Sequence, residues 1–65
     1  MWIELTETKT KKRILFNSNH VVRAYPRGNC TVIVFDELDA DKDGILEQHW
    51  DMFDIEYEDF KKEII

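Results

Sequence analysis

Cysteine, proline and glycine are almost missing from this sequence, and so is any long apolar run. A single thiol, Cys30, excludes a disulfide within the chain and suits a reducing compartment. One proline, Pro26, and two glycines, Gly28 and Gly44, leave no Pro- or Gly-rich linker. The longest uninterrupted apolar stretch is Val32-Ile33-Val34-Phe35, far short of a membrane span. Met1-Trp2-Ile3-Glu4 lacks the basic-then-apolar layout of a signal peptide. A cytoplasmic protein without membrane contact is the expectation. At 65 residues the chain has room for one domain, residues 1–65. A domain this small buries only about 60% of its unfolded surface, enough for a modest core but not for a deep enclosed active site. Hydrophobic residues make up 43% of the chain and eight are aromatic, which is a folding composition rather than a disordered one.

Charge is plentiful and unevenly placed. Residues 1–35 hold six basic residues against two acids, whereas residues 36–65 hold twelve acids against three lysines. Opposite charges on neighbouring strands can neutralise one another, or the halves can form a polarised surface that steers a charged partner. The acidic half argues against broad nucleic-acid affinity, which depends on neutralising phosphates.

Strand patterns dominate the chain. Trp2-Ile3-Glu4-Leu5-Thr6 alternates, with Ile3 and Leu5 on one face. Glu7 through Lys12 reads as a hairpin tip without a glycine. Arg13-Ile14-Leu15-Phe16 forms the next strand and ends at Asn17-Ser18-Asn19, residues whose side chains favour turns. Val21 through Tyr25 is a third strand, and Pro26 marks a strand end or a sheet edge. After the turn Arg27-Gly28-Asn29, Thr31 through Phe35 is the most β-prone segment. Asp36 through Gly44 reads as an acidic loop, and Ile45 through Ile55 as a last, interrupted strand. Tyr57, Phe60 and Ile64 then follow helical spacing. So short a helix does not persist alone and must dock. The predicted fold is α+β, mainly β: a small antiparallel sheet of four to five strands with a short C-terminal helix packed on it.

The run Ile14-Leu15-Phe16-Asn17-Ser18-Asn19-His20-Val21, followed by Tyr25-Pro26 and Thr31-Val32-Ile33-Val34-Phe35, resembles the small flagellar proteins of the FlbD type. Their closing pattern, an acidic residue leading into a short helix, resembles Glu56-Tyr57-Glu58-Asp59-Phe60 here. The likeness covers most of residues 2–35 and then 54–65. It departs at 36–49, where this chain is longer and more acidic, and Glu56 stands where the family often caps its helix with Ser. The resemblance implies the same fold and a non-enzymatic accessory role, and carries no catalytic residues.

The most specific motif is Asp39-Ala40-Asp41-Lys42-Asp43-Gly44-Ile45, which fits the opening positions of a calcium loop. Trp50 stands where the bidentate Glu belongs, and no helix precedes it. A calcium site would therefore use Asp39, Asp41, Asp43 and Glu47 in another geometry; otherwise Asp43-Gly44 simply closes a solvated hairpin. Lys9, Lys11, Lys12 and Arg13 are the candidate nucleic-acid contacts, with Tyr25 available to stack; the competing role is a charged tip that discourages edge pairing. The acidic half can also mimic nucleic acid, as in an inhibitor from a mobile element. His20, His49 and Cys30 share no metal-like spacing, and no cofactor is expected. Ser18 and His20 are poorly placed as nucleophile and base, so no enzyme is expected.

Alternation turns Trp2 away from Ile3 and Leu5, and an exposed aromatic near arginine has the composition of a binding hot spot. Trp2, Arg23, Tyr25 and Arg27 are the candidate partner-binding residues. The competing role for Trp2, Tyr25, Trp50 and Phe53 is packing in the core. Thr31 through Phe35 carries no charge; at a sheet edge it would pair with a second copy, whereas at the centre it would leave a monomer. The expectation is a small protein-binding or adaptor module, with self-association as one form of binding.

Overall fold

The computed structural model describes residues 1–64. Five strands and one helix follow in the order β1 (Trp2–Thr6), β2 (Arg13–Asn17), β3 (Val21–Arg27), β4 (Cys30–Ala40), β5 (Leu46–Phe53) and α1 (Tyr57–Ile64). The fold is mainly β, and all strand pairs are antiparallel. The strands do not form one sheet of four to five: β1 and β2 make a two-stranded sheet, and β3, β4 and β5 a three-stranded one with β4 in the middle. A single bridge, Glu7 to Phe53, joins them.

The division arises at Asn17. Its side chain accepts the backbone N–H of Asn19 (3.0 Å) and starts a 3-10 turn over Ser18–His20, so β2 does not continue into a hairpin with β3. The tip before it closes without glycine because Lys11 takes a left-handed φ of 61°. Glu7 N–H donates to Lys12 O and Lys11 N–H to Glu7 O, both at 2.8 Å. Pro26 lies on β3, the outer strand of its sheet, where a missing N–H can face solvent.

Two expectations change at β4. Thr31 through Phe35 is central, flanked by β3 and β5, so it offers no free edge to a second copy. The segment 36–44 is not a loop. β4 runs on to Ala40 and pairs Leu38 with Gln48, Asp39 with Glu47 and Ala40 with Leu46, forming a hairpin arm. Only Asp41–Ile45 turns. There Gly44 has a φ of +80°, a conformation that side chains resist. The last strand is correspondingly Leu46–Phe53 rather than 45–55.

The core lies between the two sheets and the helix. Ile3 and Phe16 from the small sheet meet Ile33, Phe35 and Phe53 from the large one, and Phe60 reaches in from α1. Phe16 and Phe35 meet edge-on with ring centres 5.2 Å apart, a favoured aromatic geometry. Thr31 is the buried polar residue beside them, and its hydroxyl donates to Ile55 O at 2.8 Å. Thr31→Val keeps the shape but removes the donor. The change is expected to cost about 1–3 kcal/mol, lowering the midpoint of a urea melt at unchanged slope. An unchanged midpoint would mean that water serves the Ile55 carbonyl instead. No helix among the described residues is long and apolar enough to cross a membrane.

Candidate functional site

The three-stranded sheet has two unlike faces. Its inner face, with Thr31, Ile33, Phe35 and Phe53, carries the core. The strand period of two sends the alternate residues outward. Cross-strand register then builds rows on the outer face: Tyr25, Val32 and Met52 form one, and Arg23, Val34 and Trp50 the next. Beyond the register shift between Val34 and Leu38, the outer side continues as Leu38 opposite Gln48 and Ala40 opposite Leu46. Val32 and Val34 are buried, flanked in register by larger side chains, whereas Tyr25 and Trp50 stay 44% and 52% exposed. Leu38 and Leu46 are exposed as well. The helix and the small sheet pack on the other side. The result is an apolar strip along the outer face. Arg27 lies at one end, with Arg23 two rows further in beside Val34, and the acidic arm tip of Asp41 and Asp43 lies at the other end.

The inner side continues into a cleft of about 320 Å³ between the sheets, lined by Trp2, Phe16, His20, Glu37, His49 and Asp51 among others. His49 Nδ1 lies 2.6 Å from Asp39 Oδ2 and its Nε2 3.9 Å from Asp51 Oδ2. The Phe35 ring lies against the imidazole, with centroids 5.6 Å apart. Burial raises the Asp51 carboxyl to about 6, helped by its hydrogen bond and charge repulsion with Glu7. Glu7 is held below its ordinary value by the same hydrogen bond and by Thr10. As the pH rises, Glu7 therefore ionises first and Asp51 last. His20 Nδ1 sits 3.2 Å from Asp36.

The sequence-derived candidates are dispersed. Arg23, Tyr25 and Arg27 do share the outer face of β3, but Trp2 stands on β1 and lines the inner cleft. Trp50, not Trp2, completes the aromatic-arginine row. In the basic hairpin, Lys11 pairs with Asp54 at 2.9 Å and Arg13 with Glu4 at 3.0 Å. Lys11 and Thr8 together hold the Asp54 carboxyl below its ordinary value. Half of that cluster is already engaged within the chain, which leaves Lys9 and Lys12 at the exposed tip. Among the calcium candidates, Asp41 Oδ1 accepts the backbone N–H groups of Asp43 and Ile45, both at 2.9 Å. Its carboxylate closes the turn, as Asx turns do. Asp39 reaches toward His49, and Asp39, Asp41 and Glu47 border a shallow depression on the arm. Cys30 is partly buried beside Thr8 and Asp54.

Sequence reasoning missed the grouping of Glu37, Asp39 and His49, whose ligand atoms lie within 4.8 Å of one another. The signal was present: folding the chain about Asp43 sets residues 37 and 39 opposite 49 and 47. No family model, no curated protein and no solved structure matches this chain. The FlbD likeness accordingly rests on residue pattern alone.

Proposed function

We propose that this chain is a small non-enzymatic protein-binding module whose working surface is the outer face of the three-stranded sheet, and that a second copy of the chain is a partner for it. The carrying observation is that Leu46, Leu38, Trp50 and Tyr25 lie exposed along one face of the sheet, around the buried Val32 and Val34 and the half-buried Met52, with arginines beside them and the clustered core on the other face. Exposed apolar strips of this kind mark interaction surfaces, and Trp, Tyr, Met and Arg are the side chains enriched in them.

Charge favours a second copy. An antiparallel two-fold arrangement, face to face, sets the Arg27 end of one copy over the acidic arm tip of the other. Such an interface repeats the same patch on both subunits, as two-fold dimers do. The association differs from strand addition at Thr31–Phe35, which the central position of that strand forbids. Size limits its strength. The sheet is three strands wide, about 14 Å, along Cys30–Phe35 and two strands wide, about 10 Å, along the arm, so each copy offers about 440 Å². The total of about 900 Å² falls just below the size of a stable specific interface, and the dimer is accordingly weak.

Sedimentation equilibrium from low micromolar to millimolar concentration checks this. The apparent mass should rise from 7.8 kDa toward twice that value. Trp50→Ser with Tyr25→Ser should hold it at the monomer mass, while Leu15→Ser on the small sheet leaves it rising. Added salt should weaken association, because the end contacts are ionic and exposed. A mass that stays at 7.8 kDa throughout would overturn the self-association.

A further inference from the structure

The hairpin arm that carries the apolar strip outward carries a different chemistry inward. Strand alternation places Glu37 and Asp39 of β4 and His49 of β5 on its inner side. One ligand atom from each lies within 4.8 Å of the other two. From this geometry we infer that Glu37, Asp39 and His49 form a site for a divalent transition-metal ion, with zinc as its natural probe.

Three features of the surroundings support that assignment. The donor set is one imidazole nitrogen and two carboxylates, a combination that suits zinc and its neighbours better than calcium or magnesium, which favour oxygen alone. The imidazole has neighbours on two sides: Phe35 lies against its ring, and Asp51 stands 3.9 Å from Nε2, close but beyond hydrogen-bond reach. Finally, Glu37 and His49 also line the cleft between the sheets, so positions not filled by the protein open onto water. Three protein ligands with open positions describe a site that exchanges its ion, not a closed structural one.

The site shares Asp39 with the calcium-like run at 39–45 but uses no other residue of it. Asp41 spends its carboxylate on the backbone of its own turn, and the pattern of side chains around His49 does not include Asp41 or Asp43. The competing account is a plain ion pair between His49 and Asp39 with no ion bound. The two accounts differ in what metal does. Because the ligands lie on the inner side, metal binding is independent of association through the outer face, and either can fail without the other.

The test is titration of the full chain with Zn²⁺, and with Co²⁺ for its visible spectrum, followed by calorimetry and by the imidazole resonances of His49 and His20. Saturable one-to-one binding is expected, with the His49 resonances shifting and those of His20 unmoved. His49→Gln and Asp39→Asn should abolish it, with the far-ultraviolet spectrum confirming that each variant folds. Asp51→Asn should weaken it without abolishing it, since that carboxylate lies near the ring but outside the ligand set. Excess Ca²⁺ should not displace Co²⁺. Absence of saturable binding, or binding that survives His49→Gln, or binding lost instead in His20→Gln, would each overturn the site.

Discussion

Phe60→Ala is expected to unfold most of the population. Phe60 is fully buried and is the residue by which α1 enters the shared core of Ile33, Phe35 and Phe53. The helix has eight residues, too few to persist alone in water. Its ion pairs, Lys61 with Glu58 at 3.0 Å and Lys62 with Asp59 at 3.8 Å, are exposed and contribute little. Packing is what holds it. Removing a buried phenylalanine ring costs about 3–5 kcal/mol, and a domain of this size has a total stability of about 3–5 kcal/mol. Even the lower figure shifts the melting temperature by at least about 12 °C, since each kcal/mol is worth about 4 °C or more here. Thermal melts followed by circular dichroism decide the matter. A variant melting within a few degrees of the parent would show that α1 is not docked.

A similar loss is expected at Phe53, with a different distribution. Phe53 is also fully buried, and it closes the large sheet opposite Thr31 while bridging to Glu7 of the small one. Its ring centre lies 5.6 Å from that of Phe16 and 6.5 Å from that of Phe35. The residue joins two sheets that share few backbone hydrogen bonds. A two-stranded sheet is marginal by itself, so β1 and β2 depend on this contact. Phe53→Ala should cost about 3–5 kcal/mol and leave little folded protein. Phe53→Leu keeps much of the volume and should leave the large sheet folded while β1 and β2 open. Hydrogen exchange reads that directly: amides of Ile3, Leu5 and Phe16 should lose protection well before those of Ile33 and Val34. Uniform loss across both sheets would mean that they unfold as one unit.

Local signals carried most of the fold. Alternation marked β1, β-prone runs bounded by turn residues marked β2 and β3, the apolar run Val32–Phe35 marked the centre of β4, and the 57, 60, 64 spacing marked α1. What alternation cannot show is which strands share a sheet. That depended on the side chain of Asn17 capping a short turn, a local event with a global consequence. The arm was missed for a related reason. A register shift between Val34 and Leu38 breaks the period of two where acidic residues begin, so Leu38, Ala40 and Leu46 read as isolated apolar residues in a loop. With the arm unseen, Trp50 had no row to join and His49 had no carboxylates to face. Trp2 does turn away from Ile3 and is exposed, yet it lies on the small sheet and lines the inner cleft rather than the outer face of the large sheet. Arg23, Tyr25 and Arg27 were grouped by composition, an aromatic near arginines; their shared face arises because β3 runs on to Arg27, past the turn expected there.

The most direct test of the proposed binding face is a dilution series followed by amide and methyl resonances of the uniformly labelled protein. Concentration-dependent shifts are expected along the outer face, at Tyr25, Val32, Val34, Leu38, Leu46 and Trp50, with Leu15 and the residues of α1 unmoved. Shifts confined to the open side of β3 or to the inner cleft around Trp2 would contradict the account, and so would a spectrum that does not change with concentration at all.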